Sequence, residues 1–439
     1  MSKRDLGKRA KELGVQFVRL QFNDIHGVTK NVAIPVNELD AALEGDVVFD
    51  GSCIEGFVRS EEADMYLTPD PSTFALLPTA SGAPVEARLM CDVFNPDGTP
   101  FEGCPRSTLR RALDEAKALG FGVHASAELE FFLFEQSPDG PATTVTTDKG
   151  SYFDLSPMDR GDVARRDVAL ALEEMGVRVA ATHHEVSPGQ HEIDLASTDM
   201  LALADAVATA RVVVKTVAAR HGLVATFMPK PLLHREGSGL HVSQYLSVDG
   251  ANAFQSDGDP YNLSEAGLAY VGGLLAHARG FTAITNPTVN SYKRLVPGYD
   301  APSFVSWSQR AKSSLVRVPL ERGGDVRVEL RSPDPSCNPY LAFACVVKSG
   351  LDGVKRKLVP GDPSEVNVST MPDDERASLG IEQLPESLQE AVFALDADAV
   401  VRSALGDHSY HRFREAKLAE WEAYRTQVHP WELEAYLSL

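Results

Sequence analysis

The chain has 439 residues and a formal net charge of −20, from 42 Lys and Arg against 62 Asp and Glu. This length exceeds what one compact core accommodates, so we expect two domains. The acidic excess argues against nucleic acid as a partner, because phosphate backbones require a basic surface. We interpret most of the acidic residues as a solvated surface, of which only a few members carry function.

The five cysteines are widely spaced, and no CxxC pair occurs. Neither a disulfide framework nor a zinc site is expected, and a reducing compartment fits this usage. The first residues lead into no apolar stretch of the kind found in signal peptides, and no apolar run is long enough to span a bilayer. The sequence therefore predicts a cytoplasmic protein with no membrane partner.

The predicted elements begin with a β-hairpin. Residues 15–22 alternate apolar and polar side chains, residues 24–27 form a turn, and residues 28–34 form the second strand. A short helix follows, for which Asn37 is the predicted N-cap and Gly45 the predicted end.

The next segment, 68–84, is rich in Pro and Gly and is predicted to be a connection without long elements. A helix over 107–119 then opens a second region. We place the domain boundary between them, so that residues 1–104 form the first domain and residues 105–439 the second.

Beyond this boundary, strand and helix patterns alternate. The predicted strands are 121–134, 177–184, 223–228 and 240–245, and the predicted helices are 162–175, 197–221, 262–279 and 339–354. Together they predict an α+β fold, in which a small N-terminal domain is followed by a large antiparallel sheet flanked by helices.

The first chemical signal is the acidic pair Glu128 and Glu130 in the predicted strand 121–134. Alternate residues of a strand point to one face, and the neighbouring Phe131 and Phe132 indicate that this strand is buried. Two buried carboxylates on one face repel each other unless a cation lies between them. Taken alone, the pair is explained equally well by a bound metal ion and by a basic residue paired with it.

A second acidic pair, Glu185 and Glu192, spans the segment Ser187-Pro188-Gly189. The proline and glycine exclude a helix, so the pair does not share a helical face. A loop folded back on itself would bring both carboxylates to one cation. A polar surface loop is the alternative, and for an isolated pair it is the commoner one.

His241 alternates with apolar neighbours in the predicted strand 240–245. A lone histidine in such a place is more often a hydrogen-bonded core residue than a ligand. The preceding Gly237-Ser238-Gly239 would allow close approach of the backbone to a ligand.

Arginines accumulate near a further acid: Arg310 and Arg317 precede the alternating residues Arg327, Glu329 and Arg331. Pairing with surface acids is the alternative reading. However, an acid between two guanidiniums on one strand face is hard to explain without a bound phosphate. Carboxylates with one imidazole suit Mg²⁺ or Mn²⁺, and such ions beside fixed arginines are typical of phosphoryl transfer.

Residues 286–302 contain three prolines and a glycine and cannot form one regular element. A loop of this length in a compact domain is usually a binding loop or a lid. Arg294 lies within it and could hold a carboxylate through two hydrogen bonds.

In this order, these segments resemble the class I glutamine synthetases, and the resemblance extends to the C-terminus. The further matching segments are Phe49-Asp50-Gly51-Ser52, Glu55-Gly56-Phe57, Lys230-Pro231, Asn286-Pro287-Thr288, Asn290-Ser291-Tyr292-Lys293-Arg294 and Pro333-Asp334-Pro335. The resemblance implies an N-terminal β-grasp domain and a larger catalytic domain. It also implies a dodecamer of two stacked hexameric rings, with active sites between neighbouring subunits.

The activity implied is ATP-dependent phosphorylation of the γ-carboxylate of glutamate, after which ammonia displaces the phosphate to give glutamine. Two to three Mg²⁺ or Mn²⁺ ions per site are implied. Their ligands would be Glu130, Glu185 and Glu192 for one ion, and Glu128, His241 and Glu329 for the second.

The resemblance also implies roles toward the substrates. Arg294 would hold the α-carboxylate of glutamate and Arg331 its γ-carboxylate. The ammonium would be bound and deprotonated by Asp50 of the neighbouring subunit, in a pocket lined by Tyr152. The remaining implied positions are Glu130, Glu185, Glu236 and Gly237 around the substrate, Asp300 in the catalytic lid, and Ser243, Lys312, Arg317 and Arg327 around the nucleotide.

Several positions differ from the residues usual in that family. Asp300 replaces a Glu, Glu236 an Asn, Ser243 a His, Lys312 an Arg, Ala180 an acid and Cys53 a Ser. Near Asn367 the chain also lacks the tyrosine of the adenylylated subclass, so it is more similar to the unadenylylated subclass. Arg59 matches a position used there in feedback inhibition.

The leading hypothesis is therefore a glutamate–ammonia ligase. The alternative is a γ-glutamyl ligase for a larger amine, such as a polyamine or ethanolamine. Retention of Asp50 favours ammonia, whereas Asp300, Cys53 and Glu236 favour the larger amine. A non-catalytic paralogue is a third hypothesis, and the complete set of metal ligands argues against it.

Overall fold

The computed structural model describes five stretches of the chain: 3–57, 64–78, 83–137, 143–319 and 326–439. Arg59, the position associated with feedback inhibition, lies outside them. Within these stretches, no helix combines the length and the apolar character that crossing a membrane requires.

The N-terminal part is built on one sheet. Its elements are α1 (Lys3–Glu12), β1 (Phe17–Asn23), β2 (Thr29–Pro35), α2 (Leu39–Leu43), β3 (Val47–Asp50), β4 (Asp64–Pro69), β5 (Ala75–Leu76) and β6 (Glu86–Phe94). The strand order is β2-β1-β6-β4-β3, and β5 pairs with β6. The predicted hairpin is confirmed, because β1 and β2 pair antiparallel from Phe17–Pro35 to Asn23–Thr29. β1 also pairs with β6, in parallel.

One local prediction in this region was wrong. Asn37 caps no helix, because it lies inside a 3-10 turn, Val36–Glu38, that makes no side-chain capping bond. Helix α2 starts only after that turn, with Glu38 at its N-cap position. The predicted connection over 68–84 contains the end of β4 and the two-residue strand β5, whose brevity leaves little periodic signal.

The larger C-terminal part contains nine further strands and eleven further helices among the described residues. In order these are α3 (Pro105–Ala118), β7 (Gly122–Glu135), α4 (Asp162–Glu174), β8 (Val179–His184), β9 (Gln190–Asp199), α5 (Met200–Arg220), β10 (Leu223–Thr226), β11 (Leu240–Val248), β12 (Ala251–Asn252), α6 (Glu265–Ala276), α7 (Ala278–Thr285), β13 (Trp307–Ser308), β14 (Val316–Arg317), β15 (Val328–Leu330), α8 (Pro339–Arg356), α9 (Asp373–Ser378), α10 (Leu388–Ala397), α11 (Ala399–Leu405), α12 (Asp407–Arg425) and α13 (Pro430–Tyr436).

These strands form one sheet in the order β13-β14-β15-β11-β7-β9-β8, with β10 attached to β7 and β12 to β11. All its pairings are antiparallel except that of β13 with β14. The predicted antiparallel sheet is thus confirmed. Helix α5 packs on β7 and β9, and α8 packs on α3 and α6. The long strand β7 lies between β11 and β9, so its acidic pair has strands on both sides.

Two predicted helices differ from the structure by three or more residues at one end. Strand β9 continues through Asp199, whose side chain accepts hydrogen bonds from the amides of Leu201 and Ala202 and so caps α5. Thr198, which was predicted to be helical, instead pairs with β7 as part of β9. A β-branched residue such as threonine fits a pleated strand well. The predicted helix 262–279 is two helices that meet at His277.

The two parts of the chain meet at the hairpin turn. Asn338 Nδ2 donates to the carbonyls of Asp24, at 3.0 Å, and Ile25, at 3.3 Å. The same side chain caps α8 through Oδ1. Gly27 has a φ of 77°, and a Cβ there would lie 2.7 Å from Asn338 Cα, so only glycine fits. We retain 1–104 and 105–439 as the proposed domain limits.

Candidate active site

One cavity of about 550 Å³ opens on the face of the sheet that carries the acidic residues of β7. It is lined by most of the residues singled out in the sequence: Glu128, Glu130, Tyr152, Glu185, Glu192, Glu236, Gly237, His241, Arg294, Asp300, Lys312, Arg317, Glu329 and Arg331. These residues come from segments spread along the chain from β7 to β15, so their convergence is a property of the fold.

Among the residues to which the resemblance assigns a catalytic, substrate, nucleotide or metal role, three do not line this cavity. Asp50 is exposed at the end of β3, where its carboxylate accepts from the Ser52 amide at 2.8 Å. Ser243 is buried in β11, opposite Ser126 and Glu329. Arg327 immediately precedes β15 and donates to Ser126 Oγ at 3.3 Å. Ala180, noted as a departure, is also absent from the lining.

The first cluster in the cavity joins Glu128, His241 and Glu329, whose ligand atoms lie within 4.8 Å of one another. The register places His241 directly opposite Glu128, and β15 adds Glu329 from the other side of β11. His241 Nδ1 is 2.9 Å from Glu128 and 3.9 Å from Glu329. Burial favours the neutral acid, but the hydrogen bond to His241 and the charges of His241, Arg331 and Arg327 together outweigh it and lower the pKa of Glu128 to about 2.

The second cluster joins His183, Glu185 and Glu192, again within 4.8 Å. Strands β8 and β9 form a hairpin that places His183 opposite Glu192, and the Glu185 amide donates to the Gln190 carbonyl at 2.8 Å. Of the two alternatives left open for this loop, the structure has the one that folds back on itself. His183 Nε2 lies 2.9 Å from Glu185 and 3.6 Å from Glu192.

Glu130 lies between the two clusters. It is opposite Glu192 in the sheet, and its Oε1 is 3.9 Å from His241 Nε2. Its Oε2 accepts from the Gly239 amide at 3.0 Å and from Gln190 Nε2 at 3.1 Å. Burial, followed by the charge of Glu130, raises the pKa of Glu192 to about 12.

A pocket with this many carboxylates at close range is electrostatically unfavourable without cations. Its oxygen-rich donor sets, with one imidazole each, fit hard divalent ions such as Mg²⁺ or Mn²⁺.

Arginines lie beside the first cluster and form one wall of the cavity. Glu329 is 2% exposed, accepts from Arg317 at 3.1 Å and also pairs with Arg331. Arg331 Nε donates to the Lys312 carbonyl at 2.9 Å. Arg294 is 3% exposed and donates to the carbonyls of Ser332 and Arg331. The guanidiniums are therefore held in fixed orientations, which suits them to binding anionic groups.

Sequence reasoning missed several lining residues. These are Phe153, Ala181, Thr182, His183, Val186, Gln190, Asp194, Tyr299 and Ala301. For two of them a signal existed: Asp194 and Gln190 each lie two residues from Glu192 in a strand and thus share its face. The rings of Tyr152 and Phe153 stack at 4.0 Å and both pack edge-on against His183.

A buried polar cluster lies behind the cavity and fixes its loops. Asp148 accepts from the amides of Gly150, at 3.1 Å, and Gly189, at 2.9 Å, and its Oδ1 lies 3.1 Å from His184 Nε2. Asp159 and His191 complete a group with the residue types of a metal site. A cation is already present, because Arg165 lies 2.7 Å from both of them. We therefore interpret this group as structural.

Known families match both parts of the chain. The family model described as the catalytic domain of glutamine synthetase matches residues 102–436, and the one described as its beta-grasp domain matches residues 14–96. These matches confirm the two domain types expected from the resemblance.

Full-length relatives agree. The chain is 51% identical to a glutamine synthetase of Clostridium saccharobutylicum, over 100% of this chain and 99% of the relative. It is 50% identical to one from Thermus thermophilus, with the same coverage.

Solved structures complete the comparison. A GmaS/ADP complex has a TM-score of 0.90 at 34% identity, over 99% of this chain and 100% of that one. Glutamine synthetase of Plasmodium falciparum has a TM-score of 0.88 at 26% identity, over 99% of both chains. The chain therefore belongs to the glutamine synthetase family.

Proposed function

We propose that the protein is an ATP-dependent glutamate–ammonia ligase that forms glutamine through γ-glutamyl phosphate. The observation that carries this proposal is the cavity itself, which combines two carboxylate and imidazole clusters with the oriented arginines Arg294 and Arg331. The full-length relatives named glutamine synthetase support the same activity.

Divalent cations, Mg²⁺ or Mn²⁺, would supply positive charge to the phosphates of ATP. The proposed ligands are Glu130, Glu185 and Glu192 for one ion, and Glu128, His241 and Glu329 for a second. His183 lies within reach of the first set and orients Glu185 through its Nε2. A third ion per site remains an expectation from the family.

Glutamate would bind across the arginine wall. We assign its α-carboxylate to Arg294 and its γ-carboxylate to Arg331, because both guanidiniums are buried and line the cavity. Arg317 and Lys312 would contact phosphoryl oxygens from the same wall. Roles for Arg327 and Ser243 in nucleotide binding rest on the family resemblance, since neither lines the cavity.

The ammonium site requires a second copy of the chain in this proposal. Tyr152 lines the cavity, whereas Asp50 is exposed on the small domain and does not. A homo-oligomer in which a neighbour contributes the Asp50 loop would bring the two together. We propose the dodecamer of the family for this assembly and the cytoplasm as its location.

The relatives' names favour ammonia over a larger amine such as a polyamine or ethanolamine. The complete ligand set argues against the non-catalytic paralogue, because such a protein has no need of it.

The test is phosphate release from ATP, glutamate and Mg²⁺, with ammonium compared against a panel of primary amines. We expect release that depends on ammonium and is accompanied by glutamine. Release only with a larger amine would move the function to γ-glutamylation of that amine. No release with any amine would favour the paralogue.

A further inference from the structure

The segment 297–302, called the lid here, contributes Tyr299, Asp300 and Ala301 to the lining of the cavity. Before it, Leu295 is tied to Ser291 by a backbone hydrogen bond, and after it Ser303 accepts from Leu384. Between these anchors, one hydrogen bond joins the lid to the other described residues: the Asp300 amide donates to Glu236 Oε2 at 3.1 Å.

A second contact holds the lid from the same side. Lys230 Nζ lies 3.6 Å from the centroid of the Tyr299 ring, within the range of a cation–π interaction. Lys230 is itself fixed, because its amide donates to Asn290 Oδ1 at 2.7 Å and its carbonyl accepts from Asn290 Nδ2 at 3.1 Å. The loop 230–237 thus holds the lid at two consecutive residues.

Glu236 is presented from a rigid backbone. Its carbonyl accepts from Ser187 Oγ at 3.3 Å. The next residue, Gly237, is so close to Pro229 that a Cβ would lie 2.4 Å from its carbonyl oxygen. The carboxylate can therefore act as a fixed acceptor. Glu236 stands where the family usually has a different residue. Asp300, whose amide it binds, is a second such position.

We propose that Glu236 is a positioning residue that latches the lid through the Asp300 amide and thereby couples ATP cleavage to amide formation. This inference rests on the proposed function. A closed lid excludes water from a reactive intermediate. When ammonia attacks γ-glutamyl phosphate, a C–N bond forms, the C–O bond to phosphate breaks, and the nitrogen loses a proton to a base. When water attacks instead, glutamate and phosphate are regenerated and ATP is wasted.

The experiment measures phosphate and glutamine together, using the full-length assembled protein. Glu236→Ala removes the acceptor, whereas Glu236→Gln keeps a carbonyl oxygen that can accept from Asp300. The matched control is Glu173→Ala, since Glu173 accepts from the Val179 amide at 2.6 Å outside the cavity. Loss of a hydrogen bond to a charged acceptor should raise the equilibrium constant for lid opening by about tenfold or more.

We expect wild type and Glu173→Ala to release one phosphate per glutamine. For Glu236→Ala we expect phosphate in excess of glutamine, and a glutamate-dependent phosphate release without ammonium that is about tenfold above wild type. Glu236→Gln should restore most of the coupling. The latch would be overturned if Glu236→Ala released one phosphate per glutamine. It would also be overturned if Glu236→Gln released as much phosphate without ammonium as Glu236→Ala does.

Hydrogen exchange of the Asp300 amide provides a readout that does not depend on turnover. Faster exchange in Glu236→Ala than in Glu173→Ala supports the latch, and equal exchange refutes it, even if the variant is inactive. Absence of glutamine from the wild-type protein would refute the proposed function instead, so the two failures are distinguishable.

Discussion

Replacing Glu329 by Gln tests the central electrostatic arrangement of the cavity. The substitution keeps the shape of the side chain and removes its negative charge. Glu329 is 2% exposed and faces Arg317 at 3.1 Å, as well as Arg331 and His241. At an effective dielectric constant of about 20, the Coulomb energy of the Arg317 contact alone is about 5 kcal/mol before desolvation.

Two consequences follow from that geometry. Breaking a buried ion pair on one side costs about 3–5 kcal/mol, so the free energy of unfolding should fall by about 3 kcal/mol. Loss of a metal ligand and disorientation of two arginines should lower turnover by at least about a thousandfold, because about 4 kcal/mol of transition-state stabilisation corresponds to that factor.

The assay is ammonium-dependent phosphate release at saturating ATP and glutamate, together with thermal unfolding with and without Mn²⁺. We expect Mn²⁺ to raise the melting temperature of the wild type more than that of Glu329→Gln. Glu173→Gln serves as the control, because it removes a carboxylate outside the cavity. Turnover of Glu329→Gln within tenfold of wild type would refute the assignment of Glu329 to a metal.

Two further predictions concern stability. Burial disfavours the charged form of His277, but hydrogen bonds to Asp398 and Asp352 prevail and raise its pKa above 6.5. Its stabilisation is therefore full below pH 6.5 and lost as pH rises through the folded-state pKa. In urea denaturation, His277→Gln should cost about 2 kcal/mol at pH 6 and less at pH 9; an equal cost at both would contradict this. Arg106 pairs with Asp205, Asp70 and Asp92, so Arg106→Met should lower the unfolding free energy by about 3 kcal/mol, and an unchanged urea midpoint would exclude the network.

The elements that the sequence predicts best are those with a strong period. Strand β7 alternates along most of its length and carries its acids on one face, so both its type and its facing could be predicted. The residue at which β9 ends and α5 begins could not be predicted, because Ser197, Thr198 and Asp199 suit a helix start as well as a strand end. Pairing with β7 decides between them, and that pairing is a tertiary contact.

The lining of the cavity could be predicted where ligand types recur in short motifs, and could not where distant segments meet. His183 and His184 are neighbours, yet strand alternation sends one toward the cavity and the other into the buried cluster around Asp148. The contact between Lys230 and Tyr299 joins residues of two loops that have no periodicity. Such contacts become visible only when the backbone is folded.

The hydrogen bonds between Asn338 and the hairpin turn have a consequence for folding during synthesis on the ribosome. The hydrogen bonds that Asn338 donates to Asp24 and Ile25 join residues 314 and 313 positions apart in the chain. The hairpin leaves the ribosome long before its docking partner has been translated, and closing so large a loop is slow. Until then, the unpartnered face of the nascent N-terminal domain is open to other chains. Chaperone binding to stalled nascent chains should therefore decline once the start of helix α8 has emerged.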